Sequence, residues 1–232
     1  RFNATASGYL DTAYALMVLI LLSGCIALNL RIQRIRAKLQ QQREALAQAL
    51  EVNRELATRD ELTGLLNRRA MLDLMALEHR RSLRSGRPML LAQLDIDHFK
   101  PINDQHGHAT GDRALQAFAG TVRACVRDTD FLARWGGEEF VLMLTDTSAD
   151  HARELLERIR QAVQALEIAH SAGSLQLTVS IGLAQHLPGD TVERTLERAD
   201  QALYRAKALG RNRVEVAPAA HRTVAAGTSA RA

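Results

Sequence analysis

Apolar and polar positions follow three successive regimes along this chain. Residues 12–30 carry no charge, and at 1.5 Å per residue these nineteen positions span roughly 28 Å, about the thickness of a bilayer core. They predict a transmembrane helix. From Ile32 the apolar positions recur in heptads, with Ile32, Leu39, Leu46 and Asn53 at one seam position and Ile35, Gln42, Ala49 and Leu56 at the other. That spacing predicts a parallel coiled-coil dimer over residues 31–57, its register set by the polar Gln42 and Asn53. A lone amphipathic helix is the alternative. Beyond Thr58 the period shortens into alternating helical and extended segments. Helices are predicted over about 68–84, 109–127 and 149–166, and another is capped by Thr191, carries Leu196, Ala199, Leu203 and Ala206 on one face and stops at Gly210. Strands are predicted over 89–95, 175–183 and 213–216. A hairpin joins Phe131–Trp135 to Phe140–Leu144 through Gly136-Gly137, glycines suited to the positive φ of a tight turn.

This order of elements predicts an α+β domain, helices packed on a mainly antiparallel sheet, over residues 58–216. The strand at 175–183 alternates strictly and reads as half-buried, whereas 89–95 is apolar on both faces. Residues 217–232 lack periodicity and read as a disordered tail. The chain opens on Arg1 rather than Met, so residues 1–11 read as the end of an extracytoplasmic portion.

Composition narrows the functional classes. A net charge of +4 is mild, and aromatics make up only 4% of the chain, too few for the stacking platforms of a nucleic-acid binder. Nucleic acid is not an expected partner. Arg31, Arg34, Arg36 and Lys38 cluster directly after the apolar run, which places the following domain in the cytoplasm by the positive-inside rule. Cys25 and Cys125 are far apart and both fall in apolar settings, so neither a disulfide nor a zinc site is expected.

The chemistry sits in acids at strand ends. Asp95 and Asp97 close the apolar strand Met89–Asp95, and Glu138 and Glu139 follow the Gly-Gly turn. With the hairpin and this strand as neighbours in one sheet, Asp95, Glu138 and Glu139 converge on a patch that a divalent cation would neutralise. Oxygen ligands without His or Cys favour Mg²⁺ or Mn²⁺ over zinc. No Walker sequence is present, so phosphates must be met elsewhere. The backbone amides around Phe99 and Lys100 can serve, and Lys207 and Arg211 offer charge at i, i+4 spacing, although such cations also suit a helix C-terminus.

Gly136-Gly137-Glu138-Glu139-Phe140 resembles the signature of GGDEF-domain diguanylate cyclases. Asp95 to Lys100, Asn103, Gly107-His108 and Gly111-Asp112 resemble that family's second block. Asp60-x-Leu62-Thr63-Gly64-Leu65-x-Asn67-Arg68-Arg69 resembles its opening motif, and Asp200-x-Ala202-Leu203-Tyr204-x-Ala206-Lys207-x-x-Gly210-Arg211-Asn212 its closing one. Four motifs in order make the resemblance specific over roughly residues 58–216.

The resemblance implies a ferredoxin-like nucleotidyl-cyclase palm that condenses two GTP into cyclic di-GMP with release of two pyrophosphates. It implies a homodimer, and Asp95, the backbone carbonyl of Ile96, and Glu138 as metal ligands. Glu139 is implied as a second metal ligand or catalytic base, with Glu138 the alternative base. GTP would contact Phe99, Lys100, Asn103, Asp112, Gly136, Gly137, Lys207 and Arg211, the guanine resting on Asn103 and Asp112, which offer the donors and acceptors its edge requires. Arg127-Asp128-Thr129-Asp130 resembles the family's product-inhibition motif, implying an allosteric cyclic di-GMP site on Arg127 and Asp130. His98 and His108 are expected to pack and to fix loops. The alternative class is a non-catalytic nucleotide or cyclic di-GMP receptor on the same fold. Family analogy further implies an inner-membrane signalling protein whose product promotes biofilm formation.

Overall fold

The structure, a computed structural model, describes residues 2–170 and 173–218 and divides into two compact units, Arg1–Glu55 and Leu56–Ala232. The first unit is formed by helix α1 (Phe2–Thr58), which carries both the apolar run and the heptads without a break and whose last three residues fall in the second unit. Its 57 residues extend about 86 Å. The stretch Leu16–Leu46 is long and apolar enough to cross a membrane by length and composition. Leu16, Leu19, Leu21 and Leu22 are exposed, as are the seam residues Ile32, Ile35, Leu39 and Leu46. The seam positions Ala49, Asn53 and Leu56 lie outside the described side chains.

The second unit is built on a six-stranded mixed sheet. Its strands are β1 (Leu66–Asn67), β2 (Met89–Ile96), β3 (Phe131–Gly136), β4 (Glu139–Thr145), β7 (Val179–Gln185) and β8 (Val214–Val216), in the order β1-β3-β4-β2-β7-β8. The central pairings β3–β4, β4–β2 and β2–β7 are antiparallel, and the edges β1–β3 and β7–β8 are parallel. Helices α3 (Phe99–His106), α4 (His108–Cys125) and α5 (Ala149–Gln164) cover one face. There Leu90, Leu94, Phe140 and Leu142 meet Phe118 and Ile159, with the Phe118 and Phe140 rings 4.6 Å apart. Helices α2 (Arg68–Ser85) and α6 (Val192–Ala208) cover the other, where Met71 and Met75 pack on Leu91, Val141 and Met143. A separate hairpin pairs β5 (Glu167–His170) with β6 (Gly173–Gln176).

Several local expectations are corrected. The helix expected at 109–127 is present as α4, but a short helix that was not expected, α3, precedes it, and Gly107, at φ 77°, ends the one and starts the other. The strand expected over 175–183 is split at Leu177-Thr178, and β7 is buried on both faces except at Gln185. Its second face carries Ser180, Gly182 and Ala184, small residues that admit α6. An ideal Cβ on Gly182 would lie 2.2 Å from the Ala199 carbonyl oxygen and the Leu203 nitrogen. Ala217, expected in the tail, is buried, and its N–H donates to the Leu183 carbonyl at 2.7 Å. The rest of the expected tail from residue 219 lies outside the described residues.

Candidate active site

The β3–β4 turn comprises Gly137 and Glu138, so Glu138 occupies the turn rather than the strand beyond it. Gly137 alone of the glycine pair has positive φ, at 49°, while Gly136 closes β3 through a register shift after Arg134. Antiparallel pairing of β2 with β4 sets Asp95 directly opposite Glu139, and the Ile96 N–H donates to the Glu138 carbonyl at 3.3 Å. The acids of two distant segments therefore meet at one end of the sheet. Glu138 is half-buried, and its charge reaches Glu139.

Helix α6 brings the counter-charge. Lys207 Nζ lies 2.8 Å from Asp95 Oδ2, and Asp95 is 6% exposed. Burial pushes the Asp95 carboxyl above its usual range, with Lys207 opposing the shift and Asp97 adding to it. Partial burial, and then the facing Asp95, likewise raises Glu139 against the pull of Lys207. Burial leads both shifts, and the neighbouring carboxylates add to it. Asp200, one α6 stripe before Lys207, also raises Glu139 and went unassigned in the sequence. Arg211 reaches Asp95 electrostatically but does not share a helical face with Lys207. Helix α6 ends at Ala208, and Arg211 follows in left-handed conformation at φ 63°.

Helix α3 starts beside these acids, since only Asp97 and His98 separate Phe99 from the end of β2. Its N-cap His98 adopts φ 56° and makes no side-chain capping bond, leaving the first amides of α3, those of Phe99 and Lys100 among them, without that partner. Phe99 itself is buried in the core. His98 and His108 are both exposed, so neither packs in the core as expected. Asn103, on the last turn of α3, faces α4 at Gly111. An added Cβ at Gly111 would lie 1.9 Å from Asn103 Oδ1 and 3.3 Å from Phe99 Cζ. Gly111→Ala must therefore rotate the Asn103 amide away. The expected result is a rise of about tenfold or more in KM for the GTP that the resemblance implies, with a small change in Tm, because the obstructing atom ends a rotatable side chain. Wild-type nucleotide kinetics in that variant would remove Asn103 from nucleotide binding. Asp112, the next residue of α4, is exposed.

A latch that sequence reading left without a role holds the turn from outside. Arg134 Nε donates to the Gly137 carbonyl at 3.0 Å, and its Nη1 donates to both carboxylate oxygens of Asp60 at 3.2 Å. Asp60 also accepts from the Thr63 amide and hydroxyl at 2.9 and 2.7 Å. Burial raises this carboxyl, but the Thr63 and Arg134 contacts outweigh it and hold the group below its usual range. The opening motif is thus bonded to the signature turn. A charged residue three positions after a strand's start carried no signal for that pairing.

The expected allosteric pair lies at the opposite end of β3. Six strand residues separate it from the turn, roughly 20 Å of extended chain. Arg127 is exposed and Asp130 is buried. Asp130 Oδ2 accepts from the Arg127 amide at 3.1 Å, closing a turn. Asp130 Oδ1 is buried without a hydrogen-bond partner among the described residues. A cleft of about 240 Å³ there is lined by Arg127, Asp130, His151 and Arg158.

The residues expected to hold a cation are hard oxygen donors. Asp95, the Ile96 carbonyl, Glu138 and Glu139 fit Mg²⁺ or Mn²⁺ better than a softer metal. Among the described residues, no three His, Cys, Asp or Glu side chains already form a metal-ligating group.

A mixed sheet with paired acids at one end, an uncapped helix start beside them and an approaching Lys makes up a palm-like α+β domain with a charged site at one end of its sheet. Residues 57–213 match the family described as "Diguanylate cyclase, GGDEF domain". The chain belongs to the GGDEF family. It is 46% identical over 179 residues to the diguanylate cyclase DgcP of Pseudomonas aeruginosa, covering 77% of this chain and 27% of that protein. It is 41% identical over 186 residues to the response regulator PleD of Caulobacter vibrioides, covering 78% and 41%. The chain thus spans well under half the length of these curated relatives. Among solved structures, the coiled coil and GGDEF domain of DgcB from Caulobacter crescentus, in complex with c-di-GMP, superposes with a TM-score of 0.77 at 35% identity. That match covers 80% of this chain and 99% of the other. The active GGEEF domain of a Vibrio cholerae diguanylate cyclase superposes with a TM-score of 0.63 at 33% identity, covering 67% and 99%.

Proposed function

We propose that this chain is a diguanylate cyclase that condenses two GTP into cyclic di-GMP and two pyrophosphates. The observation that carries the reading is the cross-strand meeting of Asp95 and Glu139 under Lys207, beside the uncapped start of α3. GTP lies with its guanine on Asn103 and Asp112 and its phosphates toward the Phe99 and Lys100 amides, Lys207 and Arg211. Gly136 and Gly137 allow the nucleotide to approach the backbone closely. Asp95, the Ile96 carbonyl and Glu138 hold Mg²⁺ or Mn²⁺, and Glu139 serves as a second ligand or as the base. A bound divalent cation supplies polarisation of the α-phosphate and acidifies the attacking hydroxyl. The chain's own groups orient the 3′-hydroxyl of one GTP in line with the α-phosphate of the other, accept its proton and neutralise the departing pyrophosphate.

One domain holds one GTP, so the reaction needs two copies facing each other. The heptads of residues 31–57 supply that homodimer by raising the effective concentration of one domain at the other. Residues 12–30 anchor the protein in a bacterial inner membrane, with residues 58–216 in the cytoplasm. The exposed apolar side chains of α1 and the basic cluster after them support this placement.

The test is to incubate the full chain in detergent with GTP and Mg²⁺ and measure cyclic di-GMP and pyrophosphate together. Tight binding of nucleotide or cyclic di-GMP without turnover would favour the receptor alternative and refute the cyclase reading. Product inhibition through Arg127 and Asp130 belongs to the same reading and is supported by the cleft that Arg127, Asp130, His151 and Arg158 line. Arg127→Ala should leave the initial rate within about twofold of wild type and abolish inhibition by added cyclic di-GMP, because the bidentate fork to guanine is lost far from the acids. Equal inhibition of mutant and wild type would reduce the motif to a helix end and a turn.

A further inference from the structure

One buried acid near the site is not used by the reaction as described. Asp97 is 4% exposed and lies two residues beyond Asp95. Its lone pairs are committed inward. Oδ1 accepts from the Ser180 hydroxyl at 2.7 Å, and Oδ2 accepts from the Thr178 hydroxyl at 2.8 Å and from the Asn212 amide at 3.1 Å. The Asp97 amide returns a bond to the Thr178 carbonyl at 2.9 Å. Three acceptor contacts leave this carboxylate poorly disposed to join a cation or a phosphate.

The Asn212 contact reaches the most contorted backbone in the domain. Gly210, Arg211 and Asn212 follow one another at φ 113°, 63° and 45°. Left-handed residues in sequence are disfavoured for side chains with a Cβ, so the surroundings must hold them. The Arg211 amide donates to the Ala206 carbonyl at 3.0 Å, and the Ile181 amide donates to the Arg213 carbonyl at 2.9 Å. Asn212 is pinned on both sides, by Asp97 at its amide and by Arg160 of α5 at its side-chain oxygen, 2.9 Å away. Arg211 is thereby held between two fixed points, at the end of the helix that delivers Lys207 to Asp95.

We infer that Asp97 is a positioning residue for the triphosphate: by accepting the Asn212 amide it fixes the left-handed turn that aims Arg211 at the site. The inference rests on the cyclase reading, in which Arg211 meets phosphate. It differs from a metal-ligand role for the same acid, because the hydrogen-bond geometry needs acceptors and not charge. An Asn at position 97 can keep its carbonyl toward Thr178 and the Asn212 amide and donate its NH₂ to the Ser180 hydroxyl. An Ala cannot.

The test is steady-state GTP kinetics on the full chain in detergent for Asp97→Ala, Asp97→Asn, Arg160→Ala, Arg211→Ala and the Asp97→Ala/Arg211→Ala double variant. Asp97→Ala should raise KM about tenfold with kcat within threefold, and Asp97→Asn should restore KM to within threefold of wild type. Arg160→Ala, which releases the other anchor of Asn212 together with the Arg160 bonds to Glu157 and Gln164, should raise KM about threefold, and it carries the test if Asp97→Ala fails to fold. In the Arg211→Ala background the Asp97→Ala effect on KM should vanish, since both remove the same contact. Full additivity of the two variants, wild-type KM in Arg160→Ala, or equal damage from Asn and Ala at position 97 would overturn the inference while leaving the cyclase reading intact. A wild-type chain that neither binds nor turns over GTP would overturn both.

Discussion

Glu139→Gln is expected to slow cyclic di-GMP formation by about 10²–10⁴-fold, the range for loss of a positioned proton acceptor, while the fold survives. The carboxylate stands opposite Asp95 at the end of the β2–β4 ladder, where it contributes charge and proton affinity but little packing. The stability consequence has a definite sign. Partial burial and Asp95 raise the Glu139 pKa on folding, so its contribution to stability is fully present below the ordinary carboxylate range and is lost as pH rises through the folded value. At neutral pH without a divalent cation, Gln removes that repulsion, and Tm should match or slightly exceed that of the wild type. Retention of more than a tenth of the wild-type rate at saturating Mg²⁺ would take Glu139 out of the mechanism. A fall of several degrees in the cation-free Tm would show that it has a structural role instead.

Gly182→Ala carries the largest expected loss of stability. Its Cβ would lie 2.2 Å from Ala199 O and Leu203 N and 2.8 Å from Leu203 Cα, all backbone atoms of α6. Unlike the Asn103 amide facing Gly111, a helix backbone cannot rotate aside. The whole of α6 must lift from β7, separating Ala199, Ala202 and Ala206 from the sheet they are buried against. Overpacking of this kind costs about 3 kcal/mol. For a domain of this size that lowers Tm by about 6–12 °C, readable by calorimetry or circular dichroism. Lys207 rides on the same helix, so the surviving folded fraction should also lose turnover. A Tm within 2 °C of wild type would mean that α6 lies further from β7 than the structure has it.

These two variants separate what was legible in the chain from what was not. Glu139 was marked by its neighbours: two glycines, two acids and an apolar strand within seven residues are a local pattern. The helix capped by Thr191, the doubly buried β2 and the short β8 were likewise readable, because capping and apolar run length are properties of adjacent residues. Gly182 carried no such mark. In a strand read for its alternating Leu, Val and Ile, the small residues between them resembled a solvent face, and only the approach of α6 turned that face inward.

The chain by itself determined which chemistry is available, namely hard oxygen donors, an Asn and an Asp able to donate and accept hydrogen bonds, cations near the end of α6 and a long amphipathic and apolar helix before them. Tertiary structure alone decided which of these meet. Asp95 faces Glu139 because of the β2–β4 register, and Lys207 reaches Asp95 across more than a hundred residues of sequence because Gly182 lets α6 lie close. It also turned Glu138 into a turn residue, moved Arg211 off the helix and closed Asp97 into a bonded corner. Periodicity and capping act over a few residues and can be read in order, whereas register and close packing depend on partners that chain order does not name.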